Sequence, residues 1–165
     1  MSGKVSPEEY LQTIQTLANS GNAMAQHNLG AMYLHGQGVK NDPAQAVKWF
    51  LRAAQQGVQP ARHNLGVLYL RGIGVQKNPE EAAKWFLLAA QQGDPRSQHS
   101  LGALYYEGLG VEKNLVLSYR WISQALQHAP AEMQESIRST RDYVAEQLSP
   151  EEMAQAQHLL AQLVF

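Results

Sequence analysis

The fold is decided by the stretch Ala25-Gln-His-Asn-Leu-Gly30-Ala-Met-Tyr33. It returns after 36 residues as Ala61-Arg-His-Asn-Leu-Gly66-Val-Leu-Tyr69 and, altered, as Ser97-Gln-His-Ser-Leu-Gly102-Ala-Leu-Tyr105. The same spacing links three further sets of residues: Gly21, Gly57 and Gly93; the Gly-x-Gly-Val segments 36–39, 72–75 and 108–111; and Trp49, Trp85 and Trp121. A fixed period of this length is the signature of stacked repeats, which usually present a surface to a partner.

Composition excludes several classes of function. The chain has 165 residues with 13 Lys and Arg against 14 Asp and Glu, and this net charge of -1 indicates neither a nucleic-acid partner nor an anionic membrane surface. Because there is no cysteine, disulfides and thiolate metal sites are excluded. The residues after Met1 lack the apolar core of a signal peptide, and no stretch reaches the length of a membrane span. We therefore expect a soluble cytoplasmic protein without membrane insertion, or a periplasmic one if a signal peptide has been removed.

Each repeat is predicted to form two helices, named helix A and helix B. Helix A carries an apolar stripe formed by Ala25, Leu29, Met32 and Tyr33. Glycine costs roughly 1 kcal/mol relative to alanine inside a helix, so Gly30 and its copies indicate a neighbouring helix too close for a Cβ atom. Helix A should end at the turn 36–38, and Asp42 should cap helix B ahead of Pro43. The packing face of helix B is formed by Ala46, Trp49, Phe50, Ala53 and Ala54.

We predict that the chain forms a single domain, and that this domain consists of five consecutive parts. We predict an N-terminal capping helix at residues 6–20, repeats at 21–56, 57–92 and 93–128, and C-terminal capping helices at 131–165. The segment Ser6-Pro7-Glu8-Glu9 has the pattern of a capping box. Residues 7–19 are expected to form half a repeat, because Tyr10, Ile14, Leu17 and Ala18 take the register of Ala46, Phe50, Ala53 and Ala54.

The C-terminal helices are expected to seal the open end of the stack. The first of them, over residues 131–148, is expected to carry Met133, Ile137, Val144 and Leu148 on its inward face. The last should turn inward Met153, Ala156, Leu159, Leu160 and Leu163. Terminal helices that differ from the repeats are what a repeat array requires at its ends. In total we expect eight helices and no strand.

The first repeat resembles the Sel-1-like repeat, a relative of the tetratricopeptide repeat with a longer loop between the helices. The resemblance is carried by the stretch 25–33, then Gly36-x-Gly38-Val39, Ala46-x-x-Trp49 and Ala53-Ala54-x-x-Gly57. It covers roughly residues 21 to 128 in three tandem copies. The third copy departs from the pattern at Ser97, Ser100, Leu115 and Ser118. The resemblance implies a right-handed α-solenoid that acts as an adaptor or scaffold, often bacterial, with no reaction and no cofactor.

A partner is expected to bind the face of helix A opposite the apolar stripe, which the resemblance places on the concave side of the array. The predicted groove is formed by His27, Ala31, Leu34 and His35; by His63, Val67, Leu70 and Arg71; and by His99, Ala103, Tyr106 and Glu107. An apolar strip with polar edges suits an extended peptide or an amphipathic helix. The alternative is that Ala31, Val67 and Ala103 only touch an adjacent helix, or C-terminal helices folded back over the groove.

Neither a metal site nor catalysis is expected. His27, His63 and His99 share one face, but three ligands in a line do not converge into a tetrahedron, and no cysteine or clustered carboxylate joins them. We interpret them as half-buried amphipathic rings. No nucleophile stands in a recognisable triad, and the Gly-x-Gly segments end a helix where a phosphate-binding loop would open one.

The sequence thus predicts an all-α solenoid that binds a protein or peptide ligand as a non-catalytic scaffold. One alternative left open is a stoichiometric inhibitor or immunity-type protein that neutralises a toxin or enzyme. A less favoured one is an envelope glycan-binding protein or an enzyme. The partner and the oligomeric state are left open, with a monomer preferred to a dimer.

Overall fold

The structure is a computed structural model that describes residues 6–162. Over this range the chain forms nine α-helices and no strand: α1 (Pro7–Asn19), α2 (Ala23–His35), α3 (Pro43–Gln55), α4 (Gln59–Arg71), α5 (Pro79–Gln91), α6 (Pro95–Glu107), α7 (Leu115–His128), α8 (Ala131–Ala145) and α9 (Pro150–Ala161). The expected total of eight was wrong by one helix. The nine are the N-terminal helix, the six helices of the repeats and the two C-terminal helices. Leu163 lies outside the described residues.

The chain divides into two compact units, a first one that ends at Asn78 and a second one that begins at Pro79. The first unit contains α1 to α4, and the second contains α5 to α9. Each unit has a core of its own. In the first, α1 and α2 enclose Ile14, Ala18, Ala25, Leu29 and Met32. In the second, α7 and α8 enclose Ile122, Ala125, Ala129, Ile137 and Val144.

The first helical hairpin, α2 and α3, forms as its end signals predict. Gly36 adopts a left-handed backbone with a φ of 67° and ends α2. Asp42 caps α3, where its side chain accepts a hydrogen bond of 3.0 Å from the Gln45 amide, and Pro43 follows at the first helical position. The loop is held to the end of α2 because the Asn41 amide donates to the Leu34 carbonyl at 2.6 Å. These contacts fix the direction in which α3 leaves the turn.

The glycine inside helix A allows the two helices of a hairpin to pack closely. A Cβ atom at Gly30 would lie 2.9 Å from the ring of Phe50, closer than real contacts allow. In the second unit a Cβ at Gly102 would collide with Ile122 and would lie 3.1 Å from the Ser118 carbonyl. The predicted close approach is therefore confirmed at both positions. At each one a side chain of helix B occupies the space that a Cβ would take.

A second set of close contacts joins the A–B loops of the second and third repeats to the start of the preceding helix B. A Cβ at Gly74 would collide with the backbone of Pro43 at the start of α3, and a Cβ at Gly110 would collide with the backbone of Pro79 at the start of α5. Gly38 is different, because its nearest neighbour would be the Met32 methyl at 3.7 Å. The contact between loop and helix is therefore absent between Gly38 and α1.

Only some of the apolar side chains of the N-terminal helix α1 are buried. It begins with the expected capping box, in which Ser6 and Glu9 exchange hydrogen bonds. Ile14 and Ala18 are buried as predicted, but 49% of Tyr10 and 42% of Leu17 is exposed. Tyr10 and Leu17 therefore share the register of Ala46 and Ala53 without being buried as those two alanines are. Their counterparts in α3 are covered by α2, whereas α1 has no helix A of its own among the described residues.

The C-terminal helices begin where a repeat glycine is missing. At Gly57 and Gly93 the chain leaves helix B with φ values of 89° and 90°. Ala129 takes the corresponding place after α7 with an extended backbone, φ -67° and ψ 137°. Most of the residues predicted to face inward do so, since Ile137, Val144 and Ala156 are buried and Met133, Leu148, Met153, Leu159 and Leu160 are half-buried.

The buried Oε1 atom of Gln98 in the second unit lacks the hydrogen-bond partner that its counterpart in the first unit has. In the first unit the Gln26 side chain donates to the Ala18 carbonyl at 3.1 Å and accepts a 2.8 Å hydrogen bond from Gln56. Gln98 repeats the first of these bonds, donating to the Ala90 carbonyl at 3.0 Å. Its Oε1 atom is buried and accepts no hydrogen bond. Residue 128, which corresponds to Gln56, is histidine.

Candidate partner-binding surface

The candidate surface of the first unit lies on α2 and α4, which run next to each other. The Nε2 atom of His27 lies 3.5 Å from the amide nitrogen of Asn64 on α4. The His27 ring also packs at 5.5 Å against the ring of Phe50, and its Nδ1 atom lies 3.3 Å from Asn28 Oδ1. His27 is therefore fixed by packing and by polar contacts. His63 is half-buried on the neighbouring helix.

Between these residues runs a strip of aliphatic side chains. Ala31, Leu34, Val67 and Leu70 are all half-buried, and they lie on the side of their helices opposite the buried residues Leu29 and Leu65. His35 and Arg71 are exposed at the end of each helix. Neither α2 nor α4 contains an aspartate or a glutamate. The first unit therefore presents an apolar strip whose polar edge is neutral or basic.

Ala31 also lines a cleft of about 390 Å³ between α1, α2 and the first loop. Its walls are Pro7, Tyr10, Asn28, Ala31, Met32, Gln37 and Gly38. The cleft exists because Gly38 does not reach the start of α1 as Gly74 reaches the start of α3. This cleft could not be predicted from the sequence, because Gly38 and Gly74 occupy identical places in the repeat.

In the second unit, the predicted residues of α6 meet α8. His99 Nε2 lies 3.3 Å from the Thr140 hydroxyl, and burial lowers the pKa of His99. The hydroxyl of Tyr106 lies 3.3 Å from that of Tyr143 and 3.2 Å from Gln147 Oε1, with the two tyrosine rings 5.7 Å apart.

The outer part of this surface is aromatic and mixed in charge. The ammonium group of Lys113 lies 5.2 Å from the centre of the Tyr106 ring. Hydrogen bonding with Tyr143 lowers the pKa of Tyr106 and raises that of Tyr143. Ala103 is half-buried and Glu107 is exposed, and Tyr143 is the most exposed of the tyrosines, at 57%.

Helix α8 lies beside α6 and continues the row of A helices within this unit. The Tyr106–Tyr143 contact joins residues 37 apart, and so does the His27–Asn64 contact between α2 and α4. Moreover, α8 packs against α7 as α4 packs against α3. Thr140, Tyr143 and Gln147 therefore belong to the candidate surface, although the sequence analysis did not find them. The 37-residue step from Tyr106 to Tyr143 was the available signal.

The histidines of the candidate surface do not form a cluster of metal ligands within the described part of the chain. Within residues 6–162, no three His, Cys, Asp or Glu side chains are placed to hold one metal ion. Across the helices, His27 lies beside Asn64 and His99 lies beside Thr140. None of the helices in this range is both long enough and apolar enough to cross a membrane.

Comparison with known proteins identifies the repeats. The family model described as "Sel1 repeat" matches residues 23–58, 59–94 and 95–128. A Sel1-like repeat-containing protein of Acanthamoeba polyphaga mimivirus is 38% identical over 45 residues, which make up 27% of this chain and 8% of the viral protein.

Two solved structures are similar over most of the chain. One is a protective antigen present in uropathogenic Escherichia coli strains, which displays an SLR fold; it is 38% identical with a TM-score of 0.74, over 76% of this chain and 27% of that one. The other is a Sel1 repeat protein from Oxalobacter formigenes, 32% identical with a TM-score of 0.69, over 78% of this chain and 97% of that one. The chain thus spans only a small part of the viral and E. coli proteins.

These matches confirm the predicted all-α repeat class and the resemblance inferred from the residues. Proteins with Sel1 repeats generally act as protein-interaction scaffolds, and their fold is typically non-catalytic. Three matched repeats in register cover most of the sequence. The chain belongs to the Sel1 repeat family.

Proposed function

We propose that this chain is a non-catalytic scaffold that binds a protein or peptide on the exposed faces of its A helices. The observation that carries the proposal is the aliphatic strip Ala31, Leu34, Val67 and Leu70, which crosses two adjacent helices of the first unit. An apolar strip with a polar rim is what an amphipathic helix or an extended peptide requires of its receptor. In the second unit, Ala103, Tyr106 and Tyr143 form a separate surface of the same kind.

The strip is held in place before any ligand arrives. His27 is fixed by Phe50 and Asn64, and the loop that ends α2 is tied to it by Asn41. A rigid receptor leaves most of the ordering cost of association to the ligand, which favours affinity for a given contact area.

The charges of the first unit favour an acidic ligand. Arg71 lies at one end of the strip, and α2 and α4 carry no carboxylate. A peptide with apolar residues on one side and aspartate or glutamate at its edge would complement this surface, and opposite charges across an interface mainly raise the association rate. The most suitable ligand is therefore an acidic amphipathic segment.

The proposal is tested by capturing partners with three proteins in parallel. The wild type is compared with a Leu34→Asp, Leu70→Asp double variant and with the control Leu88→Asp, which places the same charge at a leucine that is 38% exposed on α5. We expect at least one partner to be retained by the wild type and the control and lost from the double variant, whose circular dichroism should stay helical. If all three proteins capture the same set, binding does not use the strip.

The activity of the captured partner also distinguishes a scaffold from an inhibitor. We expect a partner whose own activity is unchanged when it binds, with an affinity that falls as salt is raised because Arg71 is exposed. An enzyme or toxin that is bound one to one and loses its activity would instead support the immunity-type alternative.

A further inference from the structure

Helix α1 occupies the place of a helix B whose helix A is absent from the described residues. In the 36-residue register, Tyr10, Ile14 and Leu17 correspond to Ala46, Phe50 and Ala53 of α3. These three residues of α3 are 0% exposed, and α2 packs against α3 with Gly30 facing Phe50. Of the three corresponding residues of α1, Ile14 is buried, whereas 49% of Tyr10 and 42% of Leu17 is exposed.

The exposed side of α1 is apolar in spite of its two threonines. The hydroxyls of Thr13 and Thr16 donate 2.8 Å hydrogen bonds to the carbonyls of Glu9 and Gln12 within the helix. Because these hydroxyls are used inside the helix, the threonines leave their methyl groups for an external contact. Tyr10, Thr13 and Leu17, spaced three and four residues apart, therefore form a continuous apolar face, which we name the N-terminal stripe.

A cavity adjoins each end of the N-terminal stripe. Tyr10 lines the cleft of about 390 Å³ that opens where Gly38 fails to contact α1. Leu17 and Thr13 line a shallow depression of about 330 Å³ with Gln12 and Thr16. Two recesses joined by an apolar ridge are suited to side chains that project from one face of a helix.

We propose that the N-terminal stripe binds an amphipathic helix of a partner protein, laid antiparallel to α1 in the position that α2 takes on α3. The pairing of α2 with α3 shows what such a helix must look like at its centre, where a glycine faces Phe50. Tyr10 and Leu17 are larger than the alanines at the same positions of α3, so the incoming helix carries Ala, Ser or Gly opposite them.

Charge further restricts the partner. The only charged residues of α1 are Glu8 and Glu9, and both are exposed. A partner helix with lysine or arginine beside the first turn of α1 complements these carboxylates. This partner therefore differs in charge from the acidic ligand proposed for the aliphatic strip.

The test uses a display library of helical peptides with one small-residue face and variable charges on the other face. Selected peptides are measured by titration calorimetry against the wild type, Leu17→Glu and the control Leu88→Glu, which alters an equally exposed leucine on α5. We expect basic sequences with small residues at helical spacing, bound at least tenfold more weakly by Leu17→Glu and equally well by the control. Glu8→Gln should weaken binding and reduce its dependence on salt.

Three outcomes would overturn the proposal. Peptides that bind Leu17→Glu as well as the wild type would place the site elsewhere, and selected sequences that are acidic or bulky would contradict the required chemistry. Concentration-dependent dimers of the wild type that disappear in Leu17→Glu would show that a second copy of the chain is the occupant. Circular dichroism of each variant confirms that the helices are intact, because Leu17 contributes little to the core.

Discussion

Replacing His128 by glutamine should stabilise the protein by completing a hydrogen-bond pair that the third repeat lacks. The first repeat shows the complete pair, in which Gln56 donates to Gln26 at 2.8 Å. In the third repeat Gln98 is 1% exposed and its Oε1 atom accepts no bond. His128 stands at the position of Gln56, near the end of its helix B. His128→Gln therefore supplies a donor at the place where the first repeat has one.

The expected gain in the free energy of unfolding can be estimated by comparing Gln98 Oε1 without a donor and with one. A typical intramolecular hydrogen bond contributes about 1 kcal/mol net, and an unsatisfied buried acceptor costs about 1–3 kcal/mol. We therefore expect the free energy of unfolding of His128→Gln to rise by about 1 kcal/mol. For a chain of this size, that corresponds to an increase in Tm of roughly 2–4 °C.

Urea denaturation followed by circular dichroism measures the change, with the reverse substitution as a matched control. Gln56→His should lower stability by about 1–3 kcal/mol, because it leaves the buried Gln26 acceptor unsatisfied. His128→Ala should change stability by less than about 0.5 kcal/mol, since residue 128 is exposed. If Gln56→His destabilises the protein while His128→Gln leaves it unchanged, the two positions are not equivalent and the reasoning fails.

Two further predictions concern the second unit. Gly102→Ala should cost about 1–3 kcal/mol in urea denaturation, because the added Cβ meets Ile122 and the Ser118 carbonyl; an unchanged midpoint would show that α6 and α7 can move apart. Burial lowers the pKa of His99 below 6.5, so the unfolded chain binds more protons as the pH falls through this range, and stability decreases. Unfolding measured between pH 7 and pH 5 should therefore show a smaller loss for His99→Gln than for the wild type, and equal losses would remove His99 as the cause.

The interior of each repeat could be predicted because local signals and the period agree there. Gly30 is placed in an apolar stripe where glycine is unfavourable, and the ring of Phe50 supplies the reason. Asp42 precedes a proline and caps the helix as expected. At such positions the same residue types recur in equivalent surroundings, so one copy predicts the next.

The burial of residues at the two ends of the repeat array could not be predicted in the same way. The 36-residue register assigns a residue to a position in the repeat, but it does not say which neighbouring helices are present. Tyr10 and Leu17 share the register of buried alanines, yet they are exposed because no helix of the described chain covers them. At the other end the repeat pattern stops before α8, so the sequence did not show that Tyr143 lies beside Tyr106. The partner-binding residues themselves stay a prediction.

The torsion angle at one residue decides whether the array can be lengthened. Gly57 and Gly93 leave helix B with positive φ, a conformation that permits another 36-residue module to follow, whereas Ala129 leaves it with an extended backbone. An engineer who wishes to add modules should therefore insert them at a glycine junction and leave residue 129 as the terminator. The last positive-φ junction glycine, Gly93, thus marks where the 36-residue modules of this chain stop repeating.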